Sequence, residues 1–188
     1  CDLVPTDIAM KLMKEACDQI GKDSGGRLEI RLFPNSQLGG PSEELGQIKS
    51  GALELYFLSY GLLSSVVPAA SIVNLAFVFD SQETAYKAID GELGAFMTAE
   101  AAKVNMLIVS KANDTGFRQL ITGEKAIREP KDLKGFKIRV PAVPVLTSLF
   151  QALGAAPTVV NTNELYTALQ TKLVEGHENS LPLLLNYK

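Results

Sequence analysis

Two arginines are the residues of this chain best suited to holding a charged small molecule. Arg139 falls in a run where Phe136, Ile138 and Val140 alternate with Lys137 and Arg139. That period of two puts it on the polar face of a strand, near the carboxyl end and just before Pro141. In open α/β sheets that end of a strand faces the ligand crevice. Arg118 lies in the strand-like segment Gly116-Phe117-Arg118-Gln119-Leu120. A guanidinium set within apolar sequence needs a partner, and its planar fork matches a carboxylate. The residues alone leave two partners open for each arginine: the carboxylate of a ligand, or an Asp or Glu of the protein.

Catalytic chemistry finds little support. Nucleophilic catalysis needs a Ser, Cys or Thr held by a base, and there is no G-x-S-x-G elbow. The phosphate-cradling patterns G-x-G-x-x-G and G-x-x-x-x-G-K are missing as well. The carboxylate pairs Glu43/Glu44 and Glu175/Glu178 read as solvent-facing. The single histidine, His177, sits in the polar run Glu175-Gly176-His177-Glu178-Asn179 with no neighbours at metal-ligand spacing. We read it as a hydrogen-bonding loop residue. The sequence therefore predicts a binding protein, with no enzyme activity, cofactor or metal.

The elements that position these residues are those of an α/β fold, because apolar periods of two and near 3.6 alternate along the chain. Helices are predicted over residues 6–22, 41–49, 82–89, 93–103, 143–153 and 163–172. Strands are predicted over 27–33, 53–59, 106–111, 117–122, 136–140 and 158–160. The strands at 27–33 and 53–59, joined by the helix at 41–49, form a predicted parallel β-α-β unit. Asn161 followed by Glu164 resembles a capping pair. Cys17 shares helical spacing with Ile8, Leu12, Met13, Ala16 and Ile20, which assigns it to a buried face. Spacing gives no support to a disulfide with Cys1. A lobe boundary is placed near residues 113–116, dividing a first α/β lobe (1–113) from a second (114–188).

Composition is that of an ordinary soluble globular protein and excludes disorder. The 188 residues are 46% hydrophobic and 21% charged, with a net charge of −3, which provides no basic field for nucleic acid or an anionic membrane. The longest apolar stretches fall short of the roughly 20 residues of a membrane span. No secretory leader is visible, in keeping with one already removed.

The longer pattern is more specific than any single motif. Gly116-Phe117-Arg118-Gln119, Glu129-Pro130-Lys131-Asp132-Leu133-Lys134-Gly135-Phe136-Lys137-Ile138-Arg139-Val140-Pro141, Ala152-Leu153-Gly154 and Glu175-Gly176-His177-Glu178-Asn179 follow in order, preceded by Phe33-Pro34-Asn35-Ser36-Gln37-Leu38-Gly39-Gly40. Together they strongly resemble the solute receptors of tripartite ATP-independent periplasmic (TRAP) transporters. The resemblance implies a two-lobed periplasmic clamp that closes on an organic acid, such as a dicarboxylate or sugar acid, and delivers it to TRAP membrane permease subunits. It implies Arg139 as the carboxylate anchor, Arg118 as a second arginine facing the ligand, and Asn179 as a further carboxylate contact. Glu175 and His177 stand where the family usually has Asp and Gln. Thr162 replaces a frequent large aromatic and is the expected seat of size selectivity. Leu58, Ser59 and Tyr60 are the expected wall of the opposite lobe. They lack the charges of sialic-acid-binding members, which disfavours that ligand.

Against the family the chain looks incomplete at both ends, so some apolar surface is expected to be exposed. A monomer without direct membrane insertion is expected. A ligand-sensing module of a signalling system, built on the same clamp, is the alternative reading.

Overall fold

A computed structural model describes residues 3–109 and 116–184. The first half is helical. Helix α1 (Ile8–Asp23) starts where the Asp7 side chain accepts a hydrogen bond from the Ala9 backbone N–H at 2.8 Å, satisfying one of the donors a helix start leaves open. Helix α2 (Pro41–Ser50) follows, with proline in its first turn and Glu43 reaching back to the Gly40 N–H. Then come the short α3 (Tyr60–Leu63), a 3₁₀ turn over Pro68–Asn74, α4 (Gln82–Ile89) and α5 (Glu92–Ala102). Leu63, Val67 and Ala70 pack with Met97 and Ala101 in one buried cluster.

The second half is a mixed sheet. Strands β1 (Arg118–Thr122), β2 (Lys137–Val140), β3 (Ala156–Val159) and β4 (Gly176–Ser180) lie in the order β1-β4-β2-β3. Strand β2 is parallel to both β3 and β4, whereas β1 runs antiparallel to β4. Helix α6 (Pro144–Ala152) connects β2 to β3, and α7 (Leu165–Gln170) connects β3 to β4; α8 (Leu181–Leu184) follows β4. The chain thus leaves β2 for a neighbour on one side and returns to a neighbour on the other. This change of direction opens a crevice at the carboxyl ends of the strands. Ile138 and Val140 project from one face into the core with Phe136, Leu133, Val143, Leu146 and Phe150. Val160, Ala168 and Val174 form a smaller cluster beside α7.

Several expectations need correction. Residues 27–33 and 53–59 form no strands, so the predicted β-α-β unit is not present among the described residues. Alternation survives at 27–33: Ile30 and Leu32 are half-buried, Glu29 and Arg31 exposed, and Arg31 pairs with Glu29 at 2.8 Å. Alternation fixes which side chains share a face, but a strand also needs a neighbouring strand to pair with, and among the described residues neither segment joins a sheet. Residues 106–109 are likewise not in a strand, and the rest of the predicted 106–111 strand lies outside the described residues. So does most of the predicted lobe boundary, at 113–115, and so does Cys1.

The α1 stripe is also rotated from its expected orientation. Ile8, Leu12 and Ile20 are exposed, Met10 is the buried residue, and Cys17 is half-buried. The helix offers more apolar surface than the neighbouring elements cover. Apolar side chains at Leu28, Leu55, Phe77 and Leu107 are exposed too.

Gly176, which begins β4, tests how tightly the site strand is seated. A β-carbon there would lie 2.5 Å from the Ile121 carbonyl oxygen and 2.9 Å from the Phe136 ring. Gly176→Ala should cost about 1–3 kcal/mol through overpacking. Denaturant melts would show a lower midpoint, and an unchanged midpoint would mean that β4 adjusts freely.

Candidate functional site

Strand β4 is buried along its whole length although it reads Gly-His-Glu-Asn-Ser. Registers assign its side chains to two faces. His177 lies opposite Arg139 across the parallel pair with β2, and Asn179 opposite Gln119 of β1. His177, Asn179 and Arg139 therefore share one face, since partners in register point the same way and residues two apart repeat. Glu178 and Ser180 occupy the other face, as does Arg118, which is in register with Ser180.

Arg139 is almost completely buried, at 1% exposed. Its Nε donates to the Val160 carbonyl at 2.7 Å and one terminal nitrogen to the Thr162 hydroxyl at 3.3 Å. Both acceptors lie just after β3. They hold the guanidinium at the carboxyl end of the parallel strands, and a held fork loses less entropy when it binds. Thr162 itself opens a 3₁₀ turn, Thr162–Glu164, ahead of α7. The Asn161 side chain does not cap that turn; the Glu164 N–H is taken by the Asn161 backbone carbonyl instead.

Arg118 is committed elsewhere. Its Nε pairs with the Glu178 carboxylate, and a terminal nitrogen donates to the same carboxylate at 2.9 Å and to the Glu178 carbonyl at 3.1 Å. Glu178 is thus buried and paired, not solvent-facing as its sequence context indicated. Glu44 is buried as well, on the inner side of α2. Glu175 is exposed and accepts from the Lys137 N–H at 2.9 Å, fastening the start of β2.

A cavity of about 260 Å³ opens on the His177 face. Thr162, His177 and Asn179 line it together with Asn163, Tyr166 and Asn35. A much smaller cavity, about 20 Å³, adjoins at Thr162 and is lined by Arg139, Asn161, Pro141 and Leu62. Thr162, Asn179 and Arg139 thus meet around one corner of the sheet. Leu58, Ser59 and Tyr60 line neither cavity: Leu58 and Tyr60 pack on the helical core, and Ser59 caps α3 by accepting from the Leu62 N–H at 3.3 Å. Burial, with the Asp90 charge adding to it, raises the Tyr60 phenol above its usual range.

His177 is the residue that sequence reasoning misplaced. It belongs to a strand, not a loop; it is 4% exposed and lines the larger cavity. The available signal was its spacing, two residues before Asn179, which places both on one face of any strand. Among the described residues no group of three or more His, Cys, Asp or Glu side chains can hold a metal, and no helix is long and apolar enough to cross a membrane.

Burial, aided by the Arg139 charge and more weakly by Arg118, depresses the His177 imidazole from 6.5 to about 4, against a smaller opposing effect of the Glu178 backbone. The imidazole is therefore neutral at pH 7. Between pH 6.5 and 4 the unfolded chain takes up a proton that the folded chain refuses, so stability falls as pH drops through that window. The loss approaches roughly 2–3 kcal/mol near pH 4.5. Urea melts at pH 7 and 4.5 should show His177→Gln losing less stability than the parent; parallel losses would refute the assignment.

Solved structures similar to this chain are numerous. A TRAP periplasmic solute-binding protein from Sulfurospirillum deleyianum, solved with bound succinate, is 32% identical over 99% of this chain and 60% of its own, with a TM-score of 0.91. One from Xanthobacter autotrophicus, solved with β-D-galacturonate, is 31% identical over 94% of this chain and 59% of its own, with a TM-score of 0.89. A solute-binding protein of Verminephrobacter eiseniae is 31% identical over 90% of this chain and 50% of its own length. The chain therefore spans about half the length of such sequence relatives. The family model described as bacterial extracellular solute-binding protein, family 7, matches residues 3–188, and the chain belongs to that family.

Proposed function

We propose that this chain belongs to a periplasmic receptor that captures a small organic acid and presents it to a TRAP membrane permease, without transforming it. The observation that carries this reading is Arg139: a buried guanidinium at the carboxyl end of a parallel strand, held by Val160 and Thr162 beside a cavity. Such a group is oriented before a ligand arrives, and a planar carboxylate is the anion its fork fits. The succinate and galacturonate bound by the solved relatives share only the carboxylate, which is the part Arg139 would hold.

In this reading Asn179 and Thr162 complete the ligand's first contacts from the same corner. Arg118 keeps Glu178 neutralised on the opposite face, and its own contact with a ligand would require release from that pair. Leu58–Tyr60 would approach only from the far side of the cleft. The two lobes, 1–113 and 114–188, would close on the acid between them.

Arg139→Lys keeps the charge but loses the fork. Titration calorimetry on the full-length protein should find affinity for its acid at least tenfold weaker, about 1.4 kcal/mol or more. Unchanged affinity would remove Arg139 from the site. Thr162→Trp should fold yet shift preference toward short acids, because the indole would occupy part of the 260 Å³ cavity. Thermal shifts with succinate and with galacturonate would read this out, and equal losses for both would show that Thr162 does not set ligand size.

A further inference from the structure

The Nδ1 atom of His177 is buried and has no hydrogen-bond partner among the described residues. Native proteins carry few such atoms, because each forfeits the hydrogen bond it made to water. The Ser180 hydroxyl is similarly placed, but it lies on the sheet face away from the cavity. His177 instead lines the cavity, beside Asn179 and Thr162. Its register partner is Arg139, so the two side chains leave the same face one strand spacing apart, about 4.8 Å.

That spacing has a chemical consequence. When a carboxylate sits on the Arg139 fork, the next atoms of the ligand are the carbon beside the carboxylate and whatever that carbon carries. We infer that His177 is a specificity residue, its imidazole hydrogen-bonding an oxygen on the carbon next to the carboxylate, so that the site selects 2-hydroxy and 2-oxo acids over acids unsubstituted there. The inference rests on Arg139 anchoring the carboxylate. A neutral imidazole carries one donor and one acceptor, which suits a hydroxyl in both directions and a carbonyl in one. Its depressed basicity keeps it in that form across the neutral range, so that it adds a directed hydrogen bond and leaves the charge to Arg139. A site built to bond a substrate oxygen rejects the analogue without it, because the site's own buried group is then left unpaired.

Matched acids test this: malate against succinate, and gluconate against 2-deoxygluconate, titrated calorimetrically into the full-length protein. The parent should prefer the oxygenated member of a pair by tenfold or more. His177→Phe, similar in size but without ring nitrogens, should bring that preference below twofold and leave affinity for the deoxy acid within threefold. His177→Gln, which retains a donor and an acceptor, should restore part of it. Arg139→Lys should weaken both members of a pair together. An unchanged preference in His177→Phe, with both acids weakened in Arg139→Lys, overturns the inference and leaves the carboxylate reading standing. Failure of the parent to bind any of the four acids, or indifference to Arg139→Lys, overturns both. If His177→Phe does not fold, the imidazole ¹⁵N resonances of the parent decide: they should move with malate and hold with succinate, and equal movement with both refutes the role.

Discussion

Burying the strand Gly176–Ser180 is the constraint on which the site depends. Four of its five residues carry polar side chains, and each side chain taken out of water must be answered from the protein or from a ligand. Glu178 is answered by Arg118, reaching diagonally across the antiparallel pair from β1. Asn179 is answered by the Ser180 backbone N–H at 2.9 Å. Gly176 has no side chain because the Ile121 carbonyl and the Phe136 ring already occupy that space. The apolar core on the α6 face supplies what such a strand cannot: burial of Phe136, Ile138, Val140 and Phe150 drives association, and the polar strand rides in the middle of the sheet.

The two arginines show how similar residues diverge by face. Both sit on strands neighbouring β4, and both are long enough to reach it. Registers send Arg118 to the Glu178 side and Arg139 to the His177 side. Arg118 balances a buried carboxylate, so removing it would leave that charge uncompensated at a cost of several kcal/mol. Arg139, in contrast, donates to a backbone carbonyl and to a hydroxyl, and both orient its fork. An oriented charge in a dry corner exerts a stronger pull on an anion than one dissolved in water.

Much of this was legible from residue order alone, and the remainder follows a physical pattern. Helices α1, α2, α4 and α6 fell within a residue or two of their expected positions because caps, prolines and 3.6-residue periodicity are local signals. Strands β1 and β2 were equally plain. Residues 27–33 and 53–59 failed because period-two alternation says nothing about whether a partner strand is present. Arg139 and Asn179 are singled out by the family pattern, with β2's alternation in support. Thr162 is singled out the same way, but its hydrogen bond to Arg139 joins residues 23 apart, and no local rule predicts it. The commitment of Arg118 to Glu178 spans 60 residues and is fixed only by strand register.

His177 was misread for an instructive reason. A histidine between glutamates in a polar run looks solvated, and polar composition usually does indicate exposure. Here the run is buried because β1 and β2 flank it on both sides, and flanking is a property of topology, not of composition. The resemblance to TRAP receptors places Gln at this position, and the exchange is not neutral. A glutamine amide offers two donors and an acceptor on a flexible stem, whereas a neutral imidazole offers one of each on a rigid ring. Set one strand away from Arg139, the ring gives up hydrogen-bonding capacity and gains a fixed direction. It also gains a proton affinity that falling pH can exploit against the fold, so the exchange is worthwhile only where that direction meets something in the cavity.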